Sequence, residues 1–212
     1  MHQLLLLVNN ISRRYYGLMS REKSEAHDLI ERLCNLVRAD VRAVCNDHGM
    51  RLVQLEALDY LTKCNRYSDT PQAVSEYLGL TKGTVSQTLK VLEKKGLLGK
   101  QNDMKDKRLV HLKPTARGRR LVERSLPTAA LTLGFDRLSK SESQVTVESL
   151  RLLLRSIQQA NDFKSFAPCK TCRFNQKHNS SYFCELTQES LSETDIELLC
   201  REHEYQVAIT MK

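Results

Sequence analysis

Apolar residues recur at helical spacing along most of the chain, with polar and charged residues between them. The first such run predicts a long amphipathic helix that begins at Ser20 and ends at Gly49. Shorter helices are predicted in residues 52–64, 71–78 and 82–95. Their boundaries follow from capping residues: Thr70 and Thr81 precede two of them, and glycines close them.

The pattern changes after Gly96. Two short strand-like segments, LLGKQ and RLVHL, flank a polar tip, NDMKDK, and together predict a β-hairpin. Helical spacing then returns after Thr115, and again after Ser139, which forms a capping box with Glu142. We therefore expect a mainly α fold with a small β-hairpin wing, that is, a winged helix-turn-helix with a helical dimerisation region.

The first helix and the last long helix carry more apolar surface than one small domain can cover. The stripe of the first comprises Ile30, Leu33, Cys34, Val37, Val41, Val44 and Cys45, and that of the last comprises Val145, Leu150, Leu153, Leu154 and Ile157. Pairing with a second copy would bury both stripes.

Length and composition indicate the class of protein and the limits of its domains. The chain of 212 residues is 41% apolar and 27% charged, which is typical of an ordinary globular protein. Its one early apolar run, residues 4–8, is too short for a secretory or membrane segment, so we expect a cytoplasmic protein that does not enter a membrane. We predict an N-terminal extension (1–19, with Met19 as an alternative start), a helical domain (20–161, wing core about 50–114) and a cysteine-rich module (162–212).

Positive charge is concentrated in one segment. Residues 82–124 contain thirteen Lys and Arg against four Asp and Glu, a net charge of +9, whereas the whole chain carries +8. Such clustering is typical of a nucleic-acid-binding surface, although a solvated lysine-rich helix face is the simpler alternative. The helix at 82–95 places Val85, Leu89 and Leu92 on one face, and its opposite face carries Lys82, Ser86, Gln87, Lys90 and Lys94.

The segments SEYLGLTKGTVSQTLKVLEKKGLL and DMKDKRLVHLKPTARGRRLVE resemble the MarR family of bacterial winged-helix regulators. Leu92, Glu93, Gly96 and Leu97 match the turn after the family's recognition helix. Asp106 and Arg108 match its wing, and Thr115 with Gly118 matches the start of the next helix. The resemblance covers about residues 20–161, and it does not extend to the cysteine-rich tail.

The resemblance implies a homodimeric transcriptional regulator that binds a pseudo-palindromic operator in double-stranded DNA. The residues expected at phosphates are Thr81, Lys82, Thr84 and Ser86, and those expected at bases are Gln87 and Lys90. In the wing, Lys105, Asp106, Lys107 and Arg108 are the candidates, with Arg108 at the minor groove and oriented by Asp106. A small-molecule or redox effector stays open, as does the alternative of a non-specific architectural nucleic-acid-binding protein.

The tail contains four cysteines in a short span: a Cys-x-x-Cys pair, Cys169 and Cys172, followed by Cys184 and Cys200. This arrangement predicts a four-cysteine metal site, because a tail this small needs a cross-link in place of a core. Zinc is the first expectation and an iron–sulfur cluster the alternative, with disulfides or free thiols as a third. We expect Cys200 on a helix that begins at Ser192, and His178 and His203 are alternate ligands.

An enzyme is the rival class, in the form of a thiol redox protein that uses Cys169 and Cys172. That function needs a thioredoxin-like βαβ context, which the surrounding sequence does not indicate. Phosphate-binding glycine loops, nucleophile elbows and paired catalytic carboxylates are also missing from the sequence. We therefore expect a binding protein and not an enzyme.

Overall fold

The computed structural model describes residues 20–104, 106–178 and 181–206. It confirms the mainly helical fold with a β-hairpin wing. The elements in chain order are α1 (Arg21–Asp47), α2 (Leu52–Lys63), α3 (Pro71–Leu78), α4 (Lys82–Lys94), β1 (Leu98–Asn102), β2 (Val110–Pro114), α5 (Ala116–Ser125), α6 (Ala129–Phe135), α7 (Lys140–Ala160), β3 (Ala167–Pro168), a 3₁₀ turn (Cys169–Thr171), β4 (Asn175–His178), β5 (Ser181–Cys184), β6 (Glu189–Leu191), α8 (Glu193–Glu197) and β7 (Leu199–Cys200). The alternative starts Met1 and Met19 lie outside the described residues.

Helices α3 and α4 form the helix-turn-helix, and α2 packs with them around one apolar core. The capping residues act as expected: the Thr70 hydroxyl accepts the amide of Ala73, and the Thr81 hydroxyl accepts the amide of Thr84. Gly79 ends α3 at a φ of +64°, a conformation that favours glycine. The largest side chains enclosed in this core are Tyr60, Leu55, Leu58, Leu92 and Leu112.

Strands β1 and β2 form the antiparallel wing, in which Leu98 pairs with Pro114 and Asn102 with Val110. Helix α5 then packs closely against the start of this hairpin. A Cβ atom at Gly118 would lie 2.2 Å from the Leu97 carbonyl oxygen, so the packing of α5 requires glycine at this position. The wing is thereby fixed at its base by the helix that follows it.

The two long helices differ from this core because the apolar stripe of α7 and the N-terminal half of the stripe of α1 are open. Helix α1 buries Val41 and Cys45, whereas Leu29 and Leu33 are 59% and 53% exposed. Helix α7 has no buried residue among those described, and Leu150, Leu152 and Leu154 are all at least half exposed. The described helices include none that is long and apolar enough to cross a lipid bilayer.

The C-terminal region consists of two small antiparallel sheets, β3–β7 and β4–β5–β6, and the short helix α8. The segment leading into it packs on the helical domain: Phe166 is buried, and its ring lies 5.3 Å from that of Tyr77. The expected position of Cys200 on a helix is wrong. Helix α8 begins after Ser192, as expected, but ends at Glu197, because Leu198 is extended and residues 199–200 pair with β3.

Candidate nucleic-acid interface and cysteine cluster

Helix α4 presents two different faces. Val85, Leu89 and Leu92 are buried in the core, and the opposite face exposes Lys82, Ser86, Gln87 and Lys90. The surface residues include two amide- or ammonium-bearing side chains long enough to reach base edges, Gln87 and Lys90. The structure therefore places this predicted set together on one accessible helix face.

The N-terminus of α4 carries the two threonines expected at phosphates. Both are exposed, but the Thr81 hydroxyl caps the helix and lies 3.0 Å from the Thr84 hydroxyl. Their first role is consequently local, since they hold the start of the helix in shape. A hydroxyl that accepts an amide retains a proton to donate, so capping and phosphate contact are compatible.

The wing tip is ordered by carboxylates that accept backbone amides. Asp106 Oδ1 accepts the amide of Arg108 at 2.9 Å, and Asp103 Oδ1 accepts that of Asp106 at 2.7 Å. Asp106 thus shapes the turn and contacts the main chain of Arg108. Lys107 and Arg108 are exposed, and Lys105 lies outside the described residues.

Part of the positive segment already has partners inside the protein. The Lys95 ammonium donates to the Gly49 carbonyl, Lys100 pairs with Glu93 at 2.6 Å, and Lys113 pairs with Asp69. These three cations therefore stabilise the winged helix. The net charge of residues 82–124 thus overstates the number of cationic side chains that are available to DNA. Lys82, Lys90 and Arg108 remain on the surface.

Asp69 is a structural residue of the candidate interface that the sequence patterns did not single out. It is 3% exposed and contacts strand β2 three times: its carboxylate meets Lys113 and His111 Nδ1, the latter at 2.5 Å, and its carbonyl accepts the Leu112 amide at 2.7 Å. Hydrogen bonds that the carboxylates of Asp69 and Asp103 accept from the His111 ring raise the pKa of His111. The only sequence signal was the i, i+2 spacing of His111 and Lys113, which puts both on one strand face.

The four tail cysteines lie together. Cys169, Cys172, Cys184 and Cys200 line one cavity of about 20 Å³, and all four are free thiols. Amides approach the sulfurs: Asn65 Nδ2 donates to Cys169 Sγ and the Glu204 amide donates to Cys172 Sγ, both at 3.5 Å. A hydrogen bond between Cys169 and Cys200 lowers the pKa of Cys200 and, with burial, raises that of Cys169.

The cluster does not have the geometry of a finished metal centre. Across residues 20–104, 106–178 and 181–206, no group of three or more His, Cys, Asp or Glu side chains is arranged to hold an ion. The structure shows four neighbouring thiols, and metal binding stays a prediction.

Neither histidine adds a ligand to the cluster. His203 is buried, but its Nδ1 lies 2.6 Å from the Ser165 hydroxyl and its Nε2 lies 2.9 Å from that of Thr171. Both ring nitrogens are therefore occupied by other groups. His178 is exposed at the end of β4 and does not line the cavity of the cysteines.

Comparisons with known proteins find matches for the winged helix. Residues 48–109 match the family model described as MarR family. A MarR family protein from Bacillus stearothermophilus aligns with a TM-score of 0.56 at 18% identity, over 67% of this chain and 99% of that one. Streptococcus pneumoniae FabT, solved in complex with DNA, aligns with a TM-score of 0.50 at 25% identity, over 66% and 99%. A mutant of MepR from a multidrug-resistant S. aureus clinical isolate aligns with a TM-score of 0.55 at 24% identity, over 63% and 97%. No curated protein matches the chain.

Proposed function

We propose that this chain is a transcriptional regulator of the MarR type that binds a specific sequence in double-stranded DNA as a homodimer. The observation that carries the proposal is the exposed polar face of α4, with Lys82, Gln87 and Lys90, next to a wing that exposes Arg108. The winged helix-turn-helix fold and its likeness to FabT, which was solved with DNA, support it.

The roles proposed for the interface follow from side-chain chemistry. Gln87 and Lys90 contact base edges in the major groove, because an amide and an ammonium distinguish the hydrogen-bonding patterns of base pairs. Thr81, Lys82, Thr84 and Ser86 contact phosphates at the N-terminus of α4, where free amides add to the attraction. The wing residues Lys105, Lys107 and Arg108 contact the neighbouring minor groove or its phosphates, and Asp106 shapes the turn that carries them.

The homodimer is proposed from the open leucines of α1 and α7. A monomer would leave Leu33, Leu150 and Leu154 at least half exposed on its surface. A second copy would remove these side chains from water and give two recognition helices related by a two-fold axis, which suits a pseudo-palindromic site.

The test is a comparison of specific and random DNA. A duplex is selected from a random library with the purified protein, and its affinity is measured by fluorescence anisotropy against a scrambled duplex. We expect the selected duplex to bind at least ~10³-fold more tightly. Equal affinity for both duplexes would instead identify a non-specific architectural protein.

Matched variants locate the interface. Arg108→Ala is expected to weaken binding of the selected duplex and to reduce its salt dependence, because one cation no longer neutralises phosphate charge. Arg137→Ala, which removes an exposed arginine between α6 and α7, is the control and should leave both unchanged. An unchanged salt dependence in Arg108→Ala would remove the wing from the proposed interface.

We further propose that Cys169, Cys172, Cys184 and Cys200 bind one zinc ion after small side-chain rotations. Three features support this: the four thiols share a cavity, the cavity of about 20 Å³ suits a single ion, and amides already donate to two of the sulfurs. An iron–sulfur cluster is the alternative, but it would need more room. A thiol redox enzyme is disfavoured because Cys169 and Cys172 are buried.

Metal analysis of anaerobically purified protein, with an absorption spectrum, decides between these. We expect about one equivalent of zinc per chain and no visible colour. Iron with absorption in the visible range would establish the cluster, and metal-free protein with a folded tail would refute both. The Cys34→Ser variant, altered in α1 outside the cluster, should keep the zinc content of the unmodified protein.

A further inference from the structure

The loop that joins α2 to α3 (residues 64–70, here the α2–α3 loop) contacts the cysteine cluster on one side. Its Asn65 is 1% exposed, donates from Nδ2 to Cys169 Sγ, and donates its own amide to the Leu199 carbonyl at 2.9 Å. Ser68 in the same loop accepts the Arg201 amide at 2.8 Å. The loop thus lies against the strand that carries Cys200.

The same loop contacts the wing on its other side. Asp69 contacts His111, Leu112 and Lys113 in β2, as described above. It is followed directly by Thr70, which caps α3, the first helix of the helix-turn-helix. Asp69 is thus only four positions along the chain from Asn65, so the side chain that contacts Cys169 and the side chain that holds the wing belong to one short segment.

Buried hydrogen bonds make this loop a rigid connection. Asn65 Oδ1 accepts the Ser68 hydroxyl at 2.7 Å and the Tyr67 amide at 3.1 Å, and the Ser68 carbonyl accepts the Tyr60 hydroxyl at 2.8 Å. The side-chain amide of Asn65 cannot turn without breaking bonds at both of its ends. Because Asn65, Ser68 and Tyr60 are buried, each broken bond leaves a costly unsatisfied group.

We propose that the α2–α3 loop couples the cysteine cluster to the wing, so that zinc binding at the cluster strengthens DNA binding. This inference rests on both parts of the proposed function. If zinc binds, the four sulfurs would hold it as thiolates, and any proton that a sulfur still carries would pass to water. The Cys169 thiolate then accepts a stronger, charge-assisted hydrogen bond from Asn65 than a thiol does. The stronger bond to Asn65 would hold the α2–α3 loop more firmly. Asp69 belongs to the same loop, so it would in turn hold strand β2 more firmly.

The first test reads the wing without DNA. Hydrogen exchange at the amides of residues 110–113 is measured by mass spectrometry on the reduced, chelator-stripped full-length protein before and after adding Zn²⁺. We expect zinc to slow exchange there at least ~5-fold. Zinc binding with unchanged exchange at these amides would overturn the coupling and leave the metal site standing.

Asp69→Asn separates the connection from the metal site, because Asp69 contacts the wing and not the cysteines. This variant should bind zinc like the unmodified protein, as followed by competition with a chromophoric chelator, but zinc should no longer slow exchange in β2. Glu93→Gln is the matched control: it also converts a carboxylate that pairs with a wing lysine, Lys100, but lies outside the loop. It should keep the zinc effect. If Asp69→Asn fails to fold, His111→Gln tests the same contact from the wing.

The second test uses thermodynamic reciprocity. If zinc strengthens DNA binding, the selected duplex must raise zinc affinity by the same factor, which we expect between ~5-fold and ~150-fold. Asp69→Asn should lose this effect and Glu93→Gln should keep it. A protein that binds both ligands independently refutes the coupling alone, whereas one that binds no zinc refutes the metal site and the coupling but leaves the DNA-binding function intact.

Discussion

The two hydrophobic clusters of the described residues differ in size and chemistry. The first cluster contains nineteen buried residues between Val41 and Phe166, with Leu58 and Leu92 among them. The second cluster contains four buried residues: Cys169, Leu191, Ile196 and Cys200. The winged helix can thus be stable by apolar burial, at roughly 1.5–3 kcal/mol for each large side chain. The C-terminal region has much less apolar burial, because two of its four buried core residues are cysteines.

Charged contacts hold the two regions to each other. Arg201 donates to both oxygens of Glu76 on α3, at 2.7 and 2.8 Å, and this hydrogen-bonded pair lowers the pKa of Glu76 to about 2. Arg66 reaches Asp195 and Glu189 from the α2–α3 loop. The C-terminal region therefore depends on its contacts with the winged helix and, under the zinc proposal, on the metal as a cross-link, and the following predictions test that difference.

The largest effect is expected from Cys172→Ser. If zinc replaces the missing core, losing one ligand should unfold residues 167–206 while the winged helix keeps its structure, because structural zinc contributes on the order of 10 kcal/mol to small domains. Hydrogen exchange by mass spectrometry should show fast exchange confined to that region. Uniform protection in Cys172→Ser would mean that the apolar contacts and ion pairs suffice.

A substitution in the core of the winged helix should destabilise the winged helix and leave the zinc site unchanged. Leu58→Ala removes a fully buried side chain and should lower the free energy of unfolding of the winged helix by about 2–5 kcal/mol, measured by urea denaturation. Its zinc content should not change. Met104→Ala, at a residue that is 94% exposed on the wing, should stay within about 0.5 kcal/mol of the unmodified protein.

The smallest effect concerns pH. The ring of His111 donates hydrogen bonds to the carboxylates of Asp69 and Asp103, so its pKa in the folded protein lies above the ordinary value of 6.5. Its contribution to stability is therefore complete below that value and is lost as pH rises through the folded pKa. Urea denaturation between about pH 5.5 and about pH 8.5 should show this decline. His111→Gln should be less pH-dependent, and an equal slope in both proteins would contradict the assignment.

Local signals in the sequence accounted for most of the fold. Thr70, Thr81, Thr115 and Ser139 cap the expected helices because capping needs only a side chain and an amide three residues away. The exposed face of α4 followed from periodicity alone. These features depend on neighbours in the chain, and a single sequence contains that information.

Features that depend on distant residues could not be predicted in this way. Cys200 lies on a strand because residues 199–200 pair with 167–168, a contact that helical spacing does not reveal. Asn65 lies beside Cys169 although 104 positions separate them. The partnership of Asp69 with His111 is of the same kind. The spacing of the four cysteines indicated a cluster, but it could not show which part of the winged helix touches it.

The open leucines of α1 and α7 have a consequence for how the proposed regulator would respond to its own abundance. If Leu33 and Leu154 are buried only in the dimer, dilution dissociates the dimer into monomers. Each monomer then carries a single recognition helix. At low abundance, occupancy of a two-part duplex then rises with the square of the amount of chain, so modest changes in synthesis produce a steep response.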